Sequence, residues 1–337
     1  MGGPARFFTE ALTDEQVIAA VDHARANNLR LFVLGGGSNL VVADAGWPGL
    51  VLKIGILGIE QRAEPGSVIF DVGAGEDWDA FVAKAVRQNC AGIETLSGIP
   101  GTVGGTPVQN VGAYGQEVSG TIVSVRALDL RTNQIVTLSN AECGFSYRTS
   151  IFSSSERGHY IVLRVTYALT PGGAAHVTYA DLKHHFATHP NHPTLEATRE
   201  AVRKIRLSKA MLIVPNDDDC RSAGSFFKNP IVSMTMAEDI AVKAKSRGIE
   251  RDPPRYPAAD GMVKLSAAWL VENSGFPKGY GTGPAGISRR HTLAIVNRGG
   301  AKAADIIALK DKVQAAVRQA FGIDLQPEPV FVGFDEE

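Results

Sequence analysis

Apolar residues recur along the chain at two spacings, one helical and one extended. After the capping box Thr13-Asp14-Glu15-Gln16, the residues Val17, Ile18, Val21 and Ala24 fall on one helical face, which predicts a helix over 13–28. The unbroken apolar run Leu31-Phe32-Val33-Leu34 predicts a short buried strand that enters Gly35-Gly36-Gly37-Ser38-Asn39. Strands are expected at 40–43 and 50–54, around the turn Gly46-Trp47-Pro48-Gly49. An amphipathic helix follows over 77–88, and residues 121–138 and 160–169 alternate as strands do. Beyond them the pattern predicts helices at 196–209, 237–246, 266–273 and 304–321, with Gly248, Gly275 and Gly322 as stop signals. A strand is expected at 292–297 and an extended tail from Gln326.

Length and charge narrow this picture. At 337 residues the chain is too long for one ordinary core, and a boundary falls near 210–222. Hydrophobic content of 44%, charged content of 20% and a net charge of −1 are globular proportions, and they supply no field that would attract nucleic acid or a membrane surface. No apolar run approaches the roughly 20 residues of a membrane span. The start, Met-Gly-Gly-Pro-Ala-Arg-Phe-Phe, lacks the basic and apolar regions of a signal peptide. Cys90, Cys143 and Cys220 are odd in number and without metal-site spacing, so they read as reduced thiols. A cytoplasmic protein without nucleic-acid or membrane partners is expected.

Two uncharged, glycine-dense loops carry the first chemical signal. One is 35–39; the other is 97–115, with six glycines and no charged residue between Glu94 and Glu117. A strand followed by three glycines invites a dinucleotide fingerprint, but that motif needs a helix next, and a strand pattern follows instead. Two readings of 35–37 remain: a nest of backbone N–H groups for an anion, with Ser38 and Asn39 as further donors, or a plain tight connection. The second loop favours the nest. A dinucleotide offers a pyrophosphate to one loop and a flat ring to another, and bare backbone allows close approach to a flavin.

Six segments in order resemble the UDP-N-acetylenolpyruvoylglucosamine reductase family. They are Gly2-Gly3-Pro4-Ala5-Arg6-Phe7, Leu34-Gly35-Gly36-Gly37-Ser38-Asn39-Leu40, the stretch 97–115, Tyr147-Arg148-Thr149-Ser150-Ile151-Phe152, Ala223-Gly224-Ser225-Phe226-Phe227-Lys228-Asn229-Pro230 and Leu325-Gln326-Pro327-Glu328-Pro329-Val330. The resemblance implies an α+β chain: a vanillyl-alcohol-oxidase-type (PCMH-type) FAD-binding domain plus a smaller α+β substrate-binding domain. The first is expected over 1–210, in lobes of about 1–55 and 56–210 with the tail 323–337 returning to it, and the second over 223–322. It further implies non-covalent FAD, NADPH as hydride donor, and reduction of UDP-N-acetylglucosamine enolpyruvate to UDP-N-acetylmuramate for peptidoglycan, by a monomer. Met1 stands where an interior residue of the first motif is expected, so the resemblance also implies residues ahead of it.

Residue roles follow from the same resemblance. Hydride reaches the vinyl carbon, and the enolate left behind needs a cation on its carboxylate and a proton on the adjacent carbon. Arg148 would hold the carboxylate, Ser225 would give the proton and Glu328, stiffened by Pro327 and Pro329, would assist the enolate. FAD contacts are expected at Gly35, Gly36, Gly37, Ser38, Asn39, Leu40, Ser97, Gly98, Ile99, Pro100, Gly101, Gly104, Gly105, Gly112, Ala113, Tyr114 and Arg206. Tyr179, in Thr178-Tyr179-Ala180-Asp181-Leu182, would be the lid of the family's first type, with Lys209 and Asn229 on the substrate diphosphate. No metal is expected: Asp217-Asp218-Asp219 reads as a solvated loop, and His185 and His189, spaced like helix ligands, are followed by the breakers Pro190 and Pro193. His176, His184 and His192 complete this His-rich tract. The alternatives are an FAD oxidase of the same fold acting on a small alcohol or phenol, and a non-catalytic nucleotide-binding relative. The lack of histidine between His23 and His159 disfavours the covalent flavin common in the former, and the presence of Arg148, Ser225 and Glu328 disfavours the latter.

Overall fold

The computed structural model describes residues 1–187 and 193–334 and divides the chain into two compact units. One comprises Ala5–Gly37 and Pro48–Ser208; the other comprises Met1–Pro4, Ser38–Trp47 and Lys209–Glu337. The helices are α1 (Asp14–Ala26), α2 (Trp78–Arg87), α3 (Ala180–Phe186), α4 (Leu195–Ser208), α5 (Met234–Ser246), α6 (Ala267–Glu272) and α7 (Ala303–Phe321). The mixed helix and sheet content and the two-part build are those of the expected α+β class.

In the first unit, a three-stranded sheet places Trp47–Ile54 between Ala5–Ala11 and Leu31–Leu34. Leu31–Leu34 runs parallel to it, with Leu31 opposite Leu50. An antiparallel sheet follows the order Gln134–Ser139, Ile122–Asp129, Tyr160–Pro171, Ser67–Gly73, Ile59–Glu64. The strands 5–11, 59–64 and 67–73 are absent from the sequence expectation. Thr13 and Asp77 accept backbone N–H bonds as the N-caps of α1 and α2. Helix α2 buries Trp78 and Phe81 against Phe70 and Tyr167, at ring separations of 5.2–5.9 Å. The Tyr167 hydroxyl lies 2.7 Å from Thr106 Oγ1, which anchors the second glycine loop to this core, and burial pushes its pKa up.

The second unit is assembled from distant parts of the chain. Leu40–Val42 lies parallel to Val330–Val332, and Asp44 caps α7 by accepting the N–H groups of Ala303 at 2.7 Å and Ala304 at 3.1 Å. These bonds explain why residues 38–47 and the tail 323–334 group with the C-terminal part rather than with the first unit. Around them stand α5, α6 and α7, the sheet of Ile231–Val232, Val263–Leu265 and Arg255–Pro257, and the hairpin Ala285–Ile287 with Ile295–Asn297. Phe226, Phe227, Leu265, Trp269, Leu270, Val313, Phe321 and Leu325 fill its core. Gly322, in the left-handed region at φ +77°, stops α7 as the sequence predicts.

Candidate functional site

The two glycine loops meet within the first unit. A Cβ on Gly36 would lie 2.5 Å from Gly101 Cα, so the crossing is possible only without side chains. The second loop is laced to the start of α2: Trp78 N donates to Gly101 O at 3.1 Å, Val103 N to Glu76 O at 2.9 Å and Gly104 N to Ala74 O at 2.9 Å. The glycines therefore divide in purpose. A Cβ on Gly104 would strike Ala74 Cβ at 2.6 Å, which makes Gly104 a packing residue, whereas Gly105 opens onto space with nothing within 4 Å. Ser97 is fully buried and its hydroxyl turns back to Glu94 O at 2.6 Å, so its side chain serves the loop itself. Ile99 and Ala113 are half-buried against the core.

Behind the loop lies an arginine row that sequence reading reached only at Arg206. Arg206 is buried and its Nε donates to Gly98 O at 3.1 Å. Burial pulls its pKa down, and the facing Tyr114 and Asp79 offset only part of that fall. Asp79 accepts Arg199 at 2.5 and 2.9 Å, Arg203 at 2.6 Å and the N–H of Gly98 at 2.6 Å. Burial raises the Asp79 pKa, but Arg199, the Gly98 N–H and Arg203 outweigh it and hold the carboxyl below its ordinary range. Arg199, Arg203 and Arg206 share one face of α4 through their i, i+4, i+7 spacing, the signal that could have revealed the row. Tyr179 caps α3 and meets Tyr114 edge to face at 5.4 Å. Beneath them, Leu182 packs on Ala201 and Val202.

Arg148 sits in a tight turn closed by two bonds, Ser146 N to Thr149 O at 2.9 Å and Thr149 N to Ser146 O at 3.1 Å. Its φ of +53° is a left-handed conformation that costs a non-glycine residue roughly 1 kcal/mol. The turn is pinned to the second loop by Asn110 Nδ2 to Ser146 O at 3.0 Å and by Ser150 Oγ to Val108 O at 2.7 Å. Asn110, buried and itself left-handed, also holds Glu117 and the N–H of Ser119, a positioning role with no sequence signal beyond its neutral surroundings. A Cβ on Gly112 would lie 3.3 Å from Arg148 Nη1, so the guanidinium runs beside the loop.

The second unit brings Ser225 and Glu328 side by side. Glu328 N donates to Phe226 O at 2.9 Å, Lys228 N to Gln326 O at 2.9 Å, and Phe227 bridges Pro327. Asn39, expected on the cofactor, donates its Nδ2 to Glu328 O at 3.2 Å and accepts Val330 N at 2.9 Å through its carbonyl; Leu40 pairs with Val330. Ser38 belongs to this unit as well. Ser225 Oγ lies 3.1 Å from Nε2 of His291, a partner 66 residues away that no spacing announces. Lys209 follows directly on α4, half-buried. The Asn229 Oδ1 accepts Ala267 N at 2.9 Å.

The acidic loop corrects a sequence expectation. Asp219 is buried, not solvated: it accepts Ser288 Oγ at 2.8 Å, Arg289 N at 3.0 Å and Arg290 Nε at 3.2 Å, and Asp217 pairs with Arg290. Burial raises the Asp219 pKa, and the Arg289 N–H, the Ser288 hydroxyl and Arg290 lower it further than that. Among the described residues no cluster of three or more metal-type side chains exists. His176 Nε2 lies 2.8 Å from Thr178 Oγ1, and His184 and His185 are on α3, while His189, Pro190 and His192 lie outside the described residues.

A loop crossing with no room for a Cβ at Gly36, open space at Gly105, peptide groups in place of charges, and a buried arginine behind them fit an FAD at the glycine loops. Residues 5–139 match a model described as an FAD binding domain, and residues 215–332 match one described as the C-terminal domain of UDP-N-acetylenolpyruvoylglucosamine reductase. The enzyme of that name from Thermobifida fusca is 47% identical over 337 residues, covering 99% of this chain and 94% of the relative. Its namesake from Streptomyces avermitilis is 48% identical, covering 99% and 92%. Among solved structures, the UDP-N-acetylenolpyruvylglucosamine reductase of Thermus caldophilus aligns with a TM-score of 0.64 at 26% identity, over 98% of this chain and 93% of that one. The chain belongs to the UDP-N-acetylenolpyruvoylglucosamine reductase family, FAD-dependent oxidoreductases of peptidoglycan synthesis that act on a UDP-sugar.

Proposed function

We propose that this chain reduces UDP-N-acetylglucosamine enolpyruvate to UDP-N-acetylmuramate, with Ser225 as proton donor and Arg148 and Glu328 as partners of the enolate. Held at the glycine loops 35–37 and 97–115 with Arg206 behind them, FAD would supply the hydride chemistry between NADPH and the terminal vinyl carbon. Electrons then accumulate on the carbon bearing the carboxylate and the ether oxygen. Arg148, a permanent forked cation held by its turn, neutralises that carboxylate. Ser225 gives its hydroxyl proton to the carbon, which completes the saturated lactyl ether. Glu328, beside Ser225 on the same ladder, assists the developing enolate. Lys209 and the Asn229 Nδ2 would hold the diphosphate, and Tyr179 would cover the nucleotide from its exposed place on Tyr114.

The observation that supports this reading is the 2.9 Å bond from Glu328 N to Phe226 O, which sets the Ser225–Phe226 and Glu328 backbones side by side. No described helix is long and apolar enough to cross a membrane. The test is anaerobic: the purified yellow protein is bleached with one equivalent of NADPH, and the enolpyruvyl sugar nucleotide is added. The flavin absorbance should return with formation of the lactyl ether; a flavin that stays bleached contradicts the proposal.

A further inference from the structure

Two extended segments run alongside each other in the second unit. Asn297 N donates to Arg221 O at 2.9 Å, Ser222 bridges Val296, and Phe226 N donates to Leu293 O at 2.7 Å. This register carries Ser225 to His291, whose Nε2 lies 3.1 Å from Ser225 Oγ. The turn bearing His291 is itself anchored. His291 N and Arg290 N both donate to Ser288 Oγ at 3.1 Å, and that hydroxyl donates to the buried carboxylate of Asp219 at 2.8 Å. Ser288 N to Ala294 O at 2.9 Å closes the turn. A continuous chain of contacts therefore runs from Asp219 through Ser288 to His291 and Ser225.

A serine hydroxyl has one proton. If Ser225 donated that proton to the imidazole, it would point away from any substrate carbon. Proton delivery to carbon requires the opposite direction, with Nε2–H donating to Oγ. That bond turns the hydroxyl hydrogen outward and stabilises the negative charge that grows on Oγ as the proton leaves. We propose that His291 is the positioning residue of the proton donor: its Nε2–H, held by the Asp219–Ser288 turn, aims the Ser225 proton and steadies the charge left on Oγ. This rests on the reading of Ser225 as proton donor.

The experiment uses the FAD-loaded full chain under anaerobic conditions and times two steps separately, bleaching by NADPH and return of flavin colour on adding the enolpyruvyl sugar nucleotide. His291→Leu should slow colour return by about 10²–10³-fold, the usual effect of removing one such donor, with bleaching unchanged. His291→Gln places an amide N–H at the reach of Nε2 and should recover most of the lost rate, while the shorter His291→Asn should not. Colour return at the parent rate in His291→Leu overturns the inference, as do equal rates in the Gln and Asn variants. The Gln–Asn comparison decides the matter if His291→Leu fails to fold. Ser225→Ala is run in parallel. If it regains colour as fast as the parent, the proton-donor reading itself falls. If it is slow while His291→Leu is fast, only the positioning role falls.

Discussion

The two units build their candidate sites by opposite means. In the first, backbone does the work: Gly36 crosses Gly101 with no room for a Cβ, and Arg206 is buried behind the loop with its Nε on Gly98 O. In the second, side chains do the work and backbone ladders aim them: Ser225 is set by the bonds around Phe226, and Glu328 by Asn39 and Phe226. Each has one partly or wholly buried aspartate as its organiser. Asp79 gathers Arg199, Arg203 and Gly98, and Asp219 gathers Ser288, Arg289 and Arg290. A neutral cradle suits a cofactor that must be held through a change of charge. Aimed side chains suit an intermediate that needs a proton at a fixed place.

The sharpest way to break this division is to add a side chain to the cradle. Gly36→Val puts a branched Cβ 2.5 Å from Gly101 Cα and should yield protein that purifies colourless, checked by the flavin spectrum, with the second unit still folded. Next in size, Arg148→Ala should retain flavin and its reduction by NADPH, while kcat/KM for the enolpyruvyl substrate falls about 10²–10³-fold, read by steady-state kinetics. Asp219→Asn loosens the turn under His291 and should slow flavin reoxidation about 10–100-fold without changing flavin content, the usual span for an indirect ligand-orienting residue.

The smallest effect is expected at Asp79. Asp79→Asn should cost about 1–3 kcal/mol in urea unfolding at pH 7, less than a fully buried pair because its side chain is 24% exposed. The pH dependence has a definite sign. The folded pKa lies below the unfolded one, so the stabilisation is complete above the ordinary carboxylate range and is lost as pH falls through the folded value. The variant should therefore show a shallower acid decline than the parent between pH 5 and about 3.

Much of this division was legible in the sequence, and the reason is physical. Glycine density, the capping residues Thr13 and Asp77 and the αL stop at Gly322 act locally, so they are visible in a short window. The absence of a helix after Gly37 was also local and correctly set aside the dinucleotide fingerprint. What escaped depends on distant partners. Asp44 meets Ala303 across 259 positions, which places residues 38–47 with the C-terminal unit. Asp219 reads as solvent-loving until Ser288 and Arg290 arrive across about 70 positions, and His291 means nothing until Ser225 faces it. The exposed strand 59–64 carries no apolar alternation for a pattern to find.

The central claim is that Ser225 supplies the proton and that flavin reduction does not need it. Its most direct test is the ratio of two rates in Ser225→Ala, measured anaerobically in one stopped-flow series. Bleaching by NADPH should match the parent, while colour return on adding the enolpyruvyl sugar nucleotide should slow by about 10²–10⁴-fold, the range of a lost general acid. Colour return at the parent rate, or equal slowing of both steps, would contradict the account.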